Sequence, residues 1–267
     1  MKVSLIIATY NWPQALELAV LSAFKQSRLP DEIIIADDGS TEQTRLEIKK
    51  LTEKSKVPII HLWQEDNGFQ KTSILNKAFA KSTGDYIIQI DGDIILHHHF
   101  IKDHLGLAKK NAFIQGGRVL LGPEISEKIL SSKNTDVNIF ANDIKRRKDG
   151  IRFLALSNFI AAGYRNSHPK YFARGANMSF WREDLILTNG YNEDFSGWGH
   201  EDSELTIRLL NAGKQKLQLK FGGIAYHIYH KEETSKKQDQ KNRELLENTV
   251  KSGIIFTPKG LNQYLDA

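Results

Sequence analysis

Two aspartates flank one glycine in Asp91-Gly92-Asp93, directly after the apolar run Tyr86-Ile87-Ile88-Gln89-Ile90. Carboxylates at that spacing can converge on one hard cation, and the glycine lets the backbone come close. A divalent ion there could bridge phosphates and neutralise charge on a departing diphosphate. The plain alternative is a turn at a strand end, for which Asp-Gly is common. Asp37-Asp38-Gly39-Ser40 ends the run from Glu32 to Ala36. A carboxylate there could accept the N3–H of a uracil ring, or it could form an Asx turn that caps a helix starting at Thr41. Thr9-Tyr10-Asn11 follows the first apolar run, where the ring could stack on a base or pack at a sheet edge.

Two further groups lie in the second half. Gly197-Trp198-Gly199-His200-Glu201-Asp202 places two carboxylates at an expected helix start. One could be a general base that removes a hydroxyl proton, or both could simply favour the positive end of the helix dipole. That dipole lowers a carboxyl pKa, and burial under Trp198 could offset it. The two glycines around the indole suit a mobile or close-fitting loop. In His227-Ile228-Tyr229-His230 either imidazole could bind a divalent metal. On a continuous strand the two would face opposite sides, so they share an ion only if the chain turns. His97-His98-His99 reads as a solvated helix start, since three adjacent helical residues do not face one point. Lys145 to Lys148 beside Phe153 to Leu156 could touch an anionic membrane surface, with a solvated loop as the default.

These groups need a scaffold that brings strand ends together. Val3 to Ala8, Glu32 to Ala36, Pro58 to Leu62 and Tyr86 to Ile90 are continuous apolar runs, as expected for strands buried on both faces of a parallel sheet. Helical patterns lie between them at Pro13 to Gln26, Thr41 to Lys54 and Thr72 to Lys81. The βαβαβαβ order implies a Rossmann-like nucleotide-binding half, and ligands bind beyond the carboxyl ends of such strands. Farther on, the reading expects one strand from Ile114 to Leu120 with a Gly116-Gly117 break. It also expects a helix from Asp202 to Ala212, short strands at Leu217 to Phe221 and Ile224 to His227, and a mixed-charge helical tail from Glu232 to Lys251.

The bulk numbers narrow the classes. A chain of 267 residues can bury a core without covalent staples, and it has no cysteine for disulfide or thiolate chemistry. Lys and Arg total 37 against 32 acidic residues, an excess of +5 that suits phosphorylated ligands but is too small to argue for nucleic acid. No stretch reaches the about 18 apolar residues of a membrane span, and the N-terminus lacks a signal-peptide pattern. The expected location is cytoplasmic, with peripheral contact at the inner face of a membrane allowed.

Thr9-Tyr10-Asn11, Asp37 to Thr41 and Asp91-Gly92-Asp93 resemble, in order and spacing, the motifs of family 2 inverting glycosyltransferases of the GT-A fold. The strings Arg174-Gly175-Ala176-Asn177-Met178-Ser179-Phe180, Gly190-Tyr191-Asn192-Glu193 and Gly197 to Asp202 are similar to the C-terminal region of β-1,4-galactosyltransferases and chondroitin-polymerase-type enzymes. The resemblance implies an α/β GT-A domain over residues 1–230, with a nucleotide-sugar half (1–110), a smaller acceptor and catalytic half (111–230), and a helical tail (231–267).

It also implies roles. Tyr10 would lie on the uracil and Asp38 would bind its N3–H, with Thr9, Asn11, Asn67, Gly68, Lys71 and Gly92 among the donor contacts. Asp91 would touch ribose or metal, Asp93 would be the main ligand of Mn²⁺ or Mg²⁺, and His227 would complete the shell. Asp202 would be the general base, and Glu201, Trp198, Asn177 and His200 would face the acceptor. His200 departs from the family, which usually carries glycine there. The QxxRW string of processive membrane synthases is absent, which points to transfer of single sugars.

The implied reaction moves a sugar from a nucleotide diphosphate, with UDP the expected nucleotide, onto a glycan or glycolipid hydroxyl in bacterial surface polysaccharide or lipopolysaccharide synthesis. A sugar-1-phosphate nucleotidyltransferase would instead be expected to carry a glycine-rich basic loop after the first strand, where this chain reads Thr9-Tyr10-Asn11-Trp12-Pro13. A carbohydrate-binding module would need neither the Asp91/Asp93 pair nor Glu201-Asp202.

Overall fold

The Ile- and Val-rich runs form strands because β-branched side chains fit a pleated surface, and here both faces of that surface are covered. The computed structural model describes residues 1–163, 169–231 and 236–265. The first half runs β1 (Val3–Thr9), α1 (Pro13–Phe24), β2 (Glu32–Asp37), α2 (Glu42–Lys54), β3 (Ile59–Trp63), α3 (Lys71–Lys81), β4 (Tyr86–Asp91). The second continues with β5 (Ile94–Leu96), α4 (Phe100–Leu107), β6 (Ala112–Gly116), β7 (Val119–Leu121), α5 (Pro123–Ser132), β8 (Ile144–Lys145), α6 (Leu154–Ile160), β9 (Asn177–Trp181) and α7 (Arg182–Thr188). It closes with α8 (Glu201–Asn211), β10 (Gln215–Leu219), β11 (Ala225–His227) and α9 (Lys236–Ser252).

A seven-stranded sheet has the order β10-β6-β9-β4-β1-β2-β3. The run β4-β1-β2-β3 is parallel. Every residue of β1 and β2 is buried. Alternation sends Leu5, Ile7, Ile33 and Ile35 to the side of α1, against Leu16 and Val20. It sends Ile6, Ala8, Ile34 and Ala36 to the side of α3, against Ile74, Leu75 and Phe79. This is the GT-A arrangement the motifs implied.

The second half differs from expectation in two ways. The run from Ile114 to Leu120 is two strands, not one. β6 pairs with β9 and β10 in the large sheet, whereas β7 joins a four-stranded sheet of order β5-β11-β7-β8. The split falls at Gly116, where any side chain would collide with that of Asn177. Next, β9 went unread in the sequence. It runs antiparallel between β4 and β6, and its polar members are buried: Asn177 and Ser179 are each 1% exposed or less. Met178 and Phe180 do alternate with Asn177 and Ser179, but the run is only five residues long and both of its faces are buried. The expected helical tail forms as α9, which packs along α8, with Thr249 donating to Glu204 at 3.3 Å.

α8 is fixed by a buried ion pair. Arg208 is fully buried, donates to Glu204 Oε1 at 2.9 Å and Oε2 at 2.7 Å, and also caps the Gly190 carbonyl at 2.7 Å. Breaking one partner of such a pair strands the other charge, which costs about 3–5 kcal/mol. The arrangement therefore ties α8 to the chain that leaves α7. Among the described residues, no helix is long and apolar enough to cross a membrane.

Candidate active site

Strand register places the first three groups side by side. Thr9 pairs with Asp37 and Ala8 pairs with Asp91, so β1, β2 and β4 end along one edge. Gly92 donates its N–H to the Ala8 carbonyl at 2.7 Å, and a side chain there would press on that oxygen and on Thr9. Asn11, with φ 47°, closes the β1 loop: its N–H donates to Ser40 Oγ, and its Oδ1 accepts from the Thr41 N–H, each at 2.8 Å. Tyr10 is 52% exposed and donates to Asp66 Oδ2 at 2.8 Å, presenting its ring at the edge.

Asp38 is buried beneath this edge. Gln64 Nε2 donates to one oxygen at 2.6 Å and the Gln70 N–H to the other at 2.8 Å. Burial pushes its pKa up, against those two hydrogen bonds. Asn67 and Gly68 lie in the exposed loop before α3, with the Gly68 N–H (φ 79°) on Asp66 Oδ1 at 3.1 Å. Asp66, Gln64 and Gln70 organise this corner, and their isolated positions in the chain carry no motif that reveals them.

Asp93 lies two residues past β4. β5 follows it and pairs antiparallel with β11, Ile94 opposite His227, which sets His227 beside Asp93. The strand stops there: the Ile228 N–H donates to the Asp93 carbonyl at 3.0 Å, and the chain turns. That turn brings in His230, so alternation along a strand does not separate the pair. His227 Nε2 and His230 Nε2 each lie 3.2 Å from Asp93 Oδ2. One ligand atom from each of the three residues falls within 4.8 Å of the others.

Burial favours the neutral acid of Asp93, but the hydrogen bonds and charge of the two histidines outweigh it and hold the carboxyl well below its usual range. Its Oδ1 is buried with no hydrogen-bond partner. A carboxylate with an unsatisfied buried oxygen beside two imidazoles suits a divalent transition-metal cation. Asp91 is turned elsewhere, with Lys71 of α3 donating to its Oδ1.

Lys71 joins the two halves of the site. Burial works against its charge, yet Asp91, Asp202 and Glu201 together raise its pKa well above the ordinary lysine value. Asp202, at the second position of α8, is held by the Gly175 N–H at 2.6 Å on Oδ2 and the Tyr191 hydroxyl at 2.8 Å on Oδ1. Gln89 of β4 donates to the Gly175 carbonyl at 3.1 Å and to the Tyr191 oxygen at 2.9 Å. Asp202 is thus anchored to the strand that ends in Asp91. A side chain on Gly175 would overlap both Asp202 and Gln89.

Glu201 is buried and accepts the Gly199 N–H at 2.9 Å. Burial, then the Asp202 charge, pushes its pKa up to about 7, with Lys71 pulling the other way. An unfolded glutamate titrates near about 4.3. The native state therefore holds this proton more tightly, and its contribution to stability is complete below about pH 4 and is lost as pH rises through about 7. Glu201→Gln stays neutral throughout. The urea midpoint of the wild type should fall relative to this variant between pH 5 and 7, then run parallel above. Parallel curves over the whole range would remove the perturbed glutamate.

The acceptor-side residues divide. Trp198 is 51% exposed between Gly197 (φ 70°) and Gly199 (φ 112°). His200 caps α8 with φ 72°, in the left-handed region that suits a glycine, and its Nε2 lies 3.1 Å from Asp239 Oδ1 of α9. Asn177, expected on the acceptor side, is tied into the fold. It is 1% exposed, its Nδ2 donates to the Gly117 and Gly223 carbonyls at 2.8 and 2.9 Å, and its Oδ1 lies 2.9 Å from His104 Nε2. With every amide valence satisfied internally, it ties β9 to neighbouring loops.

Residues 4–172 match the glycosyl transferase family 2 model. The chain belongs to this family. Residues 155–231 also match the N-terminal domain of galactosyltransferase. A chondroitin synthase of Pasteurella multocida is 26% identical over 262 residues, covering 90% of this family 2 chain and 26% of the relative. The chain spans about a quarter to a third of the length of the first curated relatives it matches. A mannosyltransferase from Pyrobaculum calidifontis, solved with GDP-Man and Mn²⁺, superposes with TM-score 0.61 at 17% identity, over 86% of this chain and 57% of its own. GalNAc-T7, solved with UDP, GalNAc and Mn²⁺, gives 0.67 at 15% identity, over 93% and 48%. Both share the GT-A fold with this family 2 chain.

Proposed function

We propose that the chain is a metal-dependent inverting glycosyltransferase that moves a hexose or N-acetylhexosamine from a nucleotide diphosphate, UDP being the fitting one, to a saccharide hydroxyl. One observation carries the reading: a carboxylate held in one orientation, Asp202, is linked through Lys71 and Gln89 to the strand end that bears Asp91 and Asp93.

In this reading Tyr10 offers its face to the base, and Asp38 has further lone pairs for a ring N–H. Asp93, His227 and His230 would hold the cation, whose chemistry when bound would be to neutralise charge on the leaving diphosphate. Asp202 takes the acceptor hydroxyl proton as that oxygen forms a bond to the anomeric carbon from the face opposite the diphosphate. The carbon–phosphate-oxygen bond breaks, its electron pair leaves with the nucleotide, and the configuration inverts. Glu201, carrying its proton below about pH 7, can donate a hydrogen bond to an acceptor oxygen. Relatives that include a chondroitin synthase favour a surface polysaccharide or lipopolysaccharide as the product.

Calorimetric titration with UDP and GDP, each with and without Mn²⁺, tests the donor side. Saturable UDP binding that needs Mn²⁺ is the expected result. Equal heats with and without the metal would remove the cation from the donor site, and binding of neither nucleotide would remove the transferase reading.

A further inference from the structure

A recess of about 120 Å³ opens beside the site, lined by Arg118, Arg146, Arg174 and Lys220. It lies where β6 and β10 end and the antiparallel β9 begins, the same edge that carries Asp91 but across β4 from the nucleotide strands. The register fixes its distance from the chemistry: Asn177, in its wall, pairs with Ile90, one residue before Asp91. Gln115 donates to the Arg174 carbonyl at 3.3 Å, and the next residue, Gly175, gives its N–H to Asp202. The recess thus sits on the saccharide side of the reaction.

Its charge is unbalanced. Asp149 is the one carboxylate among the described lining residues, and it is engaged by Lys220 at 2.6 Å. Arg118, partly buried, and Arg146 have no hydrogen-bond or ion-pair partner for their guanidinium groups among the described residues. A partly buried guanidinium without a counter-charge is costly, and a bidentate anion is the partner its planar fork matches. Arg146 also holds a left-handed backbone, φ 57°, at the turn into residues 147–150. That conformation costs a non-glycine residue, and such strain clusters at ligand-binding positions. All four residues of the basic run from Lys145 to Lys148 are exposed, as a solvated loop implies, and Arg146 is the one of the four that lines the recess.

We infer that this recess is a subsite for an anionic group, a carboxylate or a phosphate, carried by a saccharide substrate of the transfer reaction. The assignment to a substrate rests on the function proposed above, and the binding of an anion does not.

Saturation-transfer NMR on the full chain, with glucose, glucose 6-phosphate and glucuronate in one sample, reads it directly. Signal on one or both anionic sugars and none on glucose is expected, and which of the two responds separates phosphate from carboxylate. Arg118→Gln with Arg146→Gln should cut that signal at least fivefold, and Lys148→Gln on the same loop should leave it unchanged. UDP titration with Mn²⁺ reports whether each variant is folded, and if the double variant fails that check the single substitutions carry the comparison. Equal signal on glucose, or an undiminished signal in folded variants, overturns the subsite. Anion binding by a wild type that binds no UDP would keep the recess and strike the transferase reading instead.

Discussion

Asp202→Asn is expected to lower turnover by about 10²- to 10⁴-fold, the range a positioned general base supplies, while UDP and Mn²⁺ bind as before. The hydrogen-bond pattern explains why binding survives. The amide oxygen can keep the Gly175 N–H, and its NH₂ can turn to the Tyr191 oxygen. That hydroxyl can redirect its proton to Gln89 Oε1, 3.1 Å away. The substitution therefore keeps shape and contacts and removes only the ability to take a proton. Product formation and nucleotide titration on the same preparation test both halves. A variant with near wild-type turnover would exclude Asp202 as the base, and one that loses UDP binding would show a positioning role.

Asp93→Asn should weaken Mn²⁺ binding by about a hundredfold or more, since even groups that only support metal ligands are worth about 10–100-fold. The amide presents one neutral oxygen in place of a carboxylate whose inner oxygen has no partner in the protein. Binding to the native state alone raises stability, by about 2.7 kcal/mol at a hundredfold excess over Kd. Wild-type protein should accordingly melt higher with Mn²⁺, and the variant should not. His230→Ala should lie between the two, because His227 remains. A full Mn²⁺ shift in Asp93→Asn would move the metal away from this cluster.

What could be read without coordinates followed from what is local. The ends of β1, β2 and β4 are marked by Thr9, Asp37-Asp38 and Asp91 because an apolar run stops and a polar residue begins, and register in a parallel sheet then aligns the ends. Asp202 could be suspected from its place at a helix start. Its restraints could not: Gln89 comes from β4, and Gly175 and Tyr191 come from two loops whose strings stand out in the sequence but do not tell what these residues bond. Strand alternation argued against His230, yet β11 ends at His227 and the rule has no reach past a turn. Asn177 misled for the opposite reason. A polar residue in a functional string reads as exposed, whereas its amide is bonded to Gly117, Gly223 and His104. Arg118 and Arg146, 28 positions apart, meet through the pairing of β7 with β8.

Asn242 of α9 donates to the carbonyls of Ser196 and Gly199 at 3.1 and 3.0 Å, and Asp239 holds His200, so one helix grips the indole-bearing loop on both flanks of Trp198. Those two anchors lie beyond residue 231, where the galactosyltransferase match stops. Under the proposed function, the loop set against the incoming sugar would be moored from outside the segment that the match covers. Substitutions in this mooring would then retune which acceptors are admitted, and how fast they leave, without touching Asp93 or Asp202.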